Sequence, residues 1–378
     1  MVQAYLRWEI FANPLAQGET FAIMFIETVS EKFQKGRTAM PRVSIYTIAR
    51  KAGVSPATVS RVLNHPEQVS PETRAKIFQA MEEYEFIPSV LPRKNDTVGI
   101  VYEWREGIFL NYYFSRLLNG ISAELQKFNY NMLFFTRDHF ASPQEWRTFL
   151  HQHHVGGVIL VTPPRDDPKI RPLLALGKDV VVLGSRVEEN VHFVDCENIQ
   201  STRVALQYLF DLGHRRIGFI GGDLTQVDHA ERFEAYQTFL KERGFFREEY
   251  IAITSDIMAF VSGQGGFEGA VKLLNLPSPP TAIFVASGNC LLGVLRGLGA
   301  MGKRVPEDVS LVCFDDLEEI VPGITSIRQP IERMGRTAAE IIIRQMLKRN
   351  GNSELERKIL PCQFILRNSV RSLVGGGR

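Results

Sequence analysis

The sequence predicts an all-α helix-turn-helix headpiece followed by an α/β core built of two doubly wound parallel-sheet lobes. Three observations predict it: a helix, turn and helix spelled out over Ser44–Asn64, a change beyond Thr97 to alternating apolar runs and helical stretches, and a second series of the same kind from Arg216. At 378 residues the chain exceeds one ordinary domain, and 44% hydrophobic with 23% charged residues fits a globular protein with a large core.

In SIYTIARKAGVSPATVSRVLN, Ile45, Ile48, Ala49 and Ala52 recur at helical spacing and give a first helix one apolar face. Gly53 supplies the permissive backbone that a tight turn needs. Ser55 then offers its hydroxyl to the free amides of a new helix, Pro56 fits the first position, and Val59, Val62 and Leu63 turn inward. Ala57, Thr58, Ser60 and Arg61 are left outward. Taken alone this could be an ordinary helical hairpin. Held across the first helix, however, the second can enter a major groove roughly 12 Å wide, which makes Arg61 the leading candidate for a base or phosphate contact. Ser70-Pro71 repeats the cap-then-proline device before a third helix, whose Ile77, Met81 and Tyr84 could close a three-helix core, and Phe86-Ile87-Pro88 ends it. The formal net charge of +2 is too small to argue for nucleic acid, so the electrostatic footprint must be local: Arg42, Arg50, Lys51, Arg61, Arg74, Lys76, Arg93 and Lys94.

In the core, Val98–Tyr102, Met132–Phe135, Val158–Val161 and Val180–Leu183 read as buried parallel strands, with a helix at Phe114–Phe128. The second series has strands at Ile217–Ile220, Ile251–Thr254, Ala282–Ala286 and Ser310–Phe314, with helices near His229–Arg243, Phe267–Leu274 and Leu291–Met301. Two such units without a catalytic motif imply a bilobed binding protein with a ligand at the strand ends. No G-x-S-x-G, Walker loop or HExxH is present, and Gly263–Gly266 lacks a dinucleotide fingerprint, so an enzyme is not expected. Cys196, Cys290, Cys313 and Cys362 are widely spaced, which suggests a reducing compartment, no disulfide framework, no metal site and no cofactor. His151, His153 and His154 read as a solvated loop, with metal binding as the lesser alternative. Phe21–Ile26, the longest apolar stretch near the start, is much shorter than the roughly 20 residues that cross a bilayer. Met1–Ala39 fits neither a signal peptide nor the headpiece. Because Met40 stands immediately before PRVSIYTIA, a misassigned start is favoured over a regulatory arm.

The runs TIARKAGVSPATVSRVLN, VSPETR and FIP, then LGHRRIGFIGG (Leu212–Gly222), RVPEDVSLVCFDD (Arg304–Asp316), SIRQP (Ser326–Pro330) and LRNSV (Leu366–Val370), closely resemble the lactose-repressor and purine-repressor (LacI/GalR) family of bacterial transcription regulators. The resemblance runs from Val43 to about Ser372. It implies a core like that of periplasmic sugar-binding proteins, crossing between lobes near Leu212–His214, Arg328–Gln329 and Lys358–Leu360. The expected divisions are an extension at about 1–40, a headpiece at 41–88, a hinge at 89–97, a core at 98–372 and a tail at 373–378. Within the core, lobe one would hold about 98–212 plus 330–358, and lobe two about 213–327 plus 359–370.

Carried over residue by residue, the resemblance implies effector contacts from Tyr113, Phe114, Gln200, Arg232, Asp315 and Gln329, and DNA contacts from Ser55, Pro56, Ala57, Thr58, Ser60, Arg61 and Asn64. Two departures stand out. Ser287-Gly288 occupies the place where the family usually has Asn-Asp, so Ser287 would replace an amide that reaches the ligand. The linker SVLPRKNDT is short and carries Pro92, which disfavours a helix at Leu91. Leu91 is then either a wedge in the minor groove or part of an extended basic strand, with Arg93 on phosphates or in the groove. The function implied is a cytoplasmic homodimeric repressor on a pseudo-palindromic operator, controlled by a small effector, most naturally a carbohydrate, and without a membrane partner. A sugar-binding protein without a DNA role is the alternative; it would need an export signal and would have no use for the headpiece.

Overall fold

The computed structural model describes residues 44–64, 68–84, 86, 96–102, 111–135, 143–347 and 354–374. The chain forms two units, one ending at Leu91 and one beginning at Pro92.

The first unit has three helices, α1 (Ile45–Ala52), α2 (Pro56–Asn64) and α3 (Pro71–Glu83). Gly53 closes α1 at φ 67°, in the left-handed region that costs glycine little. Ser55 Oγ accepts from the Thr58 N–H at 3.1 Å, and Ser70 Oγ from the Thr73 N–H at 3.3 Å, so both cap-then-proline signals are helix starts. Ile48, Ala49, Val59, Val62, Ile77, Ala80 and Met81 form the core. Tyr84 does not join them. It is 39% exposed, with the Lys51 ammonium 5.8 Å from its ring, while Ala80, one turn earlier, is buried in the core. The side chains of Leu63 and Asn64, and the linker residues Leu91 and Arg93, lie outside the described residues.

The second unit opens with β1 (Thr97–Val101), α4 (Tyr112–Lys127), β2 (Asn131–Phe134), α5 (Pro143–Gln152), β3 (Val155–Val161), α6 (Ile170–Ala175), β4 (Asp179–Leu183) and β5 (His192–Cys196). It continues through α7 (Asn198–Asp211), β6 (Ile217–Gly221), α8 (Val227–Lys241), β7 (Ile251–Ile253), α9 (Ile257–Val261), α10 (Gln264–Leu274), β8 (Ala282–Val285), α11 (Gly288–Ala300), β9 (Ser310–Phe314) and β10 (Thr325–Arg328). The last elements are α12 (Ile331–Leu347), β11 (Arg357–Leu360) and β12 (Gln363–Ile365). One sheet runs β11-β5-β4-β3-β1-β2 and the other β12-β10-β9-β8-β6-β7. All pairings are parallel except β10 with β12. Central strands such as Val155–Val161 and Ser310–Phe314 are buried along their whole length, as parallel strands covered on both faces must be.

The lobes exchange chain three times, and the first exchange falls away from the place expected. The first comes at Glu197, directly after β5. Helix α7 already belongs to lobe two: Arg203 pairs with Glu242 beside α8 at 2.9 Å, and Tyr208 meets Phe364 of β12 edge-on at 5.3 Å. Leu212–His214 is therefore an ordinary helix-to-strand turn inside lobe two. The second exchange follows Arg328, because α12 returns to lobe one and Glu332 reaches Arg116 of α4 at 3.4 Å. The third falls at Pro361-Cys362, since Leu360 still pairs with Cys196 while Gln363 already pairs with Arg328. Lobe one thus keeps β11 through Leu360, beyond the limit at 358 that the sequence suggested.

His151 and His153 are exposed at the end of α5, with the His153 ring 4.3 Å from that of Phe149, and His154 turns the chain at φ 53°. No helix among the described residues is long and apolar enough to cross a membrane.

Candidate functional site

In each sheet the strand order reverses at one place, beside β1 in lobe one and β6 in lobe two. Loops leaving neighbouring parallel strands diverge there and leave a crevice at the carboxyl ends. The two crevices face each other across a cavity of about 750 Å³, lined by Tyr102, Tyr113 and Thr162 from lobe one and by Asp228, Arg232 and Asp315 from lobe two. The lobes touch at its edge: Asn111 Nδ2 donates to Asn289 Oδ1 at 3.1 Å, and Tyr112 Oη donates to the Asp316 carbonyl at 2.9 Å.

Arg232 is 3% exposed and lies flat on Phe314, its guanidinium 3.7 Å from the ring centroid. Its Nε donates to Asn198 Oδ1 at 3.0 Å, Nη1 to the Ala286 carbonyl at 2.9 Å, and Nη2 lies 3.4 Å from Asp228 Oδ2. Two of its five N–H groups are thus hydrogen-bonded, and Asp228 balances the charge. Asp228 sits one turn earlier on α8, the spacing at which helical side chains meet. Burial pushes the Asp228 carboxyl up, but His229 and Arg232 outweigh it and hold the group below the ordinary carboxylate value.

Asp315, just past β9, has φ 125°, a conformation that L residues rarely adopt. The loop holds it there because Oδ2 accepts the Gly288 N–H at 2.7 Å and Oδ1 accepts Gln329 Nε2 at 2.6 Å. A Cβ at Gly288 would lie 3.0 Å from the Asp315 Cβ, a tight contact that the glycine avoids. Burial raises Asp315 above its ordinary value, against the pull of Arg232 and those two donors. Its neighbour Asp316 has a different task. It accepts from Ser326 Oγ at 3.0 Å, Arg328 Nε at 2.6 Å and Arg367 Nη2 at 3.1 Å, tying β10 to the C-terminal segment.

Of the expected effector residues, Tyr113, Arg232, Ser287, Asp315 and Gln329 line the cavity. Phe114 and Gln200 do not. Phe114 is fully buried one helical step past Tyr113, its ring 4.6 Å from that of Tyr102, and serves the core. Gln200 is exposed on α7, which packs on lobe two rather than continuing lobe one. Ser287 caps α11 by accepting the Asn289 N–H at 3.3 Å, and Asn289 makes the contact across the cleft. Asn111, Asp228, His229 and Asn289 were missed by sequence reasoning. Asp228 and His229 stood within one turn of Arg232, and that spacing was the available signal.

On the headpiece, Ser55, Pro56, Ala57 and Arg61 are exposed, and Thr58 and Ser60 are half-buried. Tyr46, on α1, is 74% exposed, an aromatic ring the sequence reading passed over.

A family model described as "Bacterial regulatory proteins, lacI family" matches residues 44–89, and a periplasmic binding protein-like domain matches 206–370. The HTH-type transcriptional regulator CelR of Thermobifida fusca is 32% identical over 340 residues, which cover 87% of this chain and 98% of CelR. The chain belongs to the LacI family. It is similar at 30% identity to catabolite control protein A of Priestia megaterium, with 87% of this chain and 99% of that protein covered. Among solved structures, a CelR–cellobiose complex matches with a TM-score of 0.65 at 32% identity, over 87% of this chain and 100% of that one. A lac repressor dimer bound to operator and an anti-inducer shares the fold, with a TM-score of 0.70 at 24% identity and 87% and 99% coverage. This LacI-family chain is thus a DNA-binding transcription regulator, and its relatives are regulators rather than enzymes.

Behind the cleft of this family member lies a titratable hinge cluster. Arg186 Nε sits 3.3 Å from Asp195 Oδ2 in lobe one and 3.5 Å from Glu231 Oε1 in lobe two, while Asn198 Nδ2 donates to Glu231 Oε2 at 3.0 Å. Burial first, then the charges of Glu231 and Asp228, push Asp195 up to about 7 against the Cys196 N–H and Arg186. An unfolded aspartate titrates near about 3.9. The folded state therefore keeps a proton that the unfolded state has lost, and stability falls as pH rises through that interval. Melting temperature is expected to drop between about pH 4 and about pH 7, and to drop less in Asp195→Asn, which cannot titrate. Parallel pH curves for the two proteins would remove Asp195 as the cause.

Proposed function

We propose that the chain is a repressor whose hold on operator DNA is set by a neutral carbohydrate bound between the lobes. The observation that carries the reading is the cleft itself. Its volume of about 750 Å³ falls in the range of small-molecule sites, and it sits in one chain with a helix-turn-helix headpiece. Tyr102, Tyr113 and Phe260 offer faces to the C–H side of a sugar ring. Asp228, Asp315 and the remaining N–H groups of Arg232 suit vicinal hydroxyls through charge-assisted hydrogen bonds. Three lining carboxylates, counting Asp223, stand against the guanidinium of Arg232, which favours a polyhydroxyl compound over an anion. The complex of the relative CelR with cellobiose makes a glucose disaccharide the first compound to try.

In this reading the protein works in the cytoplasm as a homodimer on a roughly palindromic operator. Ligand binding changes the angle between the lobes and with it the spacing of the two headpieces. Ser55, Pro56, Ala57, Thr58, Ser60, Arg61 and Asn64 face the groove, Tyr46 meets the backbone beside it, and Leu91 and Arg93 reach DNA from the linker.

A thermal-shift panel of cellobiose, other disaccharides, monosaccharides, sugar acids and nucleosides tests the cleft. A neutral sugar is expected to raise the melting temperature, and a response confined to anionic compounds would overturn the reading. Operator selection from genomic fragments at moderate salt tests the headpiece. Arg61→Ala is expected to cost about 1–3 kcal/mol of operator binding and to relax specificity at one base pair. Unchanged affinity removes Arg61 from the reading surface.

A further inference from the structure

A second cavity, of about 620 Å³, adjoins the cleft and shares Tyr112 and Gln329 with it. One wall belongs to lobe one, from the starts of α4 and α12, and the other to lobe two, from the loop at 316–319 that follows β9. Its volume falls in the range of small-molecule sites.

Each carboxylate in these walls has its cation. Asp316 accepts from Arg328 Nε at 2.6 Å and lies 2.9 Å from Arg367 Nη1. Glu318 Oε2 is 2.7 Å from Arg367 Nε. Arg116 spans the gap between the lobes, with Nη2 2.7 Å from Glu319 Oε1 and Nη1 3.4 Å from Glu332 Oε1. Arg333 and Arg336 line the same cavity and are left over: among the described residues neither has a carboxylate within ion-pair distance. They stand three residues apart on α12, the spacing that puts two side chains on one helix face, where like charges disfavour each other. Unpaired arginines are common on an open helix face; these two differ because they share a recess whose other charges are already matched.

We propose that this recess is a second effector site, for the phosphate monoester of a small polyhydroxylated metabolite, with the phosphate held by Arg333 and Arg336. Two planar guanidinium forks match the oxygens of a doubly charged phosphate, and each can bond it through paired N–H groups. The rest of the recess suits a carbon skeleton. Ile331 is 5% exposed, Pro330 beside it is half-buried, and the Tyr112 ring stands opposite with the Arg116 guanidinium 4.8 Å from its centroid. Glu319 and Glu332 remain partly exposed and can accept from ligand hydroxyls.

The position of the recess links it to the cleft. A ligand that touches α12 in lobe one and the loop at 316–319 in lobe two favours the lobe angle at which both walls meet it. Tyr112 Oη donates to the Asp316 carbonyl across the same boundary, and Gln329 holds Asp315 on the cleft side, so the two cavities share structural parts. Binding at either one then alters affinity at the other by the same factor. The inference concerns the recess and does not depend on what the cleft binds.

The test is calorimetric titration of the full-length protein at constant ionic strength, with ribose 5-phosphate, glycerol 3-phosphate, inorganic phosphate and succinate as probes. Saturable binding of the two esters is expected, with inorganic phosphate weaker because it lacks a skeleton for Tyr112 and Ile331. Arg333→Gln and Arg336→Gln are each expected to weaken ester binding about tenfold, and the double variant to abolish it. Both side chains are exposed, so the fold should tolerate the changes, and a cooperative melt checks this. Arg147→Gln, exposed on α5 away from the recess, is expected to bind as the wild type does. The headpiece is the other place where a phosphate could bind, and it is untouched in these variants. Ester binding that survives in the double variant therefore overturns the proposal. So does the absence of saturable binding by all three phosphates, or succinate bound as tightly as the esters.

Discussion

Val59→Asp is expected to abolish operator binding while leaving the core folded and responsive to its ligand. Val59 is fully buried among Ile48, Val62 and Ile77, and among the described residues the headpiece core holds seven buried side chains. A unit of this size has stability of only a few kcal/mol, at about 0.05–0.15 kcal/mol per residue. An unpaired carboxylate in such a core costs several kcal/mol, or forces a proton onto itself at comparable cost, which is about as much as the unit has. The damage should stop there, because the chain from Pro92 onward is a separate unit with its own hydrophobic clusters. Calorimetry should show the core transition unmoved, and a gel shift should show no retarded operator at concentrations that saturate the wild type. Val59→Ala, which removes only two methyl groups, should weaken binding without eliminating it. Wild-type operator affinity in Val59→Asp would show that α2 is not held by this core when it meets DNA.

The headpiece and the central strands were legible because their signals are local. Ser55-Pro56 and Ser70-Pro71 mark helix starts through hydrogen bonds within four residues, and runs such as Val158–Val161 are apolar because both faces are covered. Strand β5 was missed because HFVDC carries His192, Asp195 and Cys196 into a fully buried position, where Asp195 serves the hinge cluster and His192 accepts the Glu356 N–H, so that polar residues break the apolar run. The first crossover was misplaced for a related reason. Nothing in the sequence of α7 tells which sheet it covers; that is decided by Arg203 meeting Glu242 and Tyr208 meeting Phe364, partners that lie 39 and more than 150 residues away. In the cleft, Arg232 and Asp315 were readable from their motifs, but the difference between Tyr113 and Phe114 is a helix phase of one residue. That phase is set by packing against Tyr102, which no spacing rule contains.

Arg232→Met is expected to lower cleft affinity on the order of a hundredfold and to destabilise the core by about 3–5 kcal/mol, the cost typical of breaking a buried ion pair from one side. Methionine can keep the contact with Phe314, so packing is largely preserved and the loss is electrostatic. What is left behind decides the size of the effect. Asp315 is buried and Asp228 half-buried in the cavity wall, and both lean on the guanidinium; without it each carboxyl is pushed up by burial with less to oppose it. Asp315, already raised, then lies further above its unfolded value and Asp228 is less depressed, so the added penalty is fullest at neutral and alkaline pH and shrinks as acid supplies the missing protons. The gap in melting temperature between wild type and Arg232→Met should therefore narrow from about pH 7 towards about pH 4.5. Arg232→Lys separates charge from geometry: a lysine restores a cation near Asp228 but cannot lie flat on Phe314 while reaching both Asn198 and the Ala286 carbonyl. It should recover part of the stability and little of the affinity. A gap that is constant across pH would mean that Arg232 acts through packing alone, and full affinity in Arg232→Lys would remove the planar guanidinium from ligand recognition.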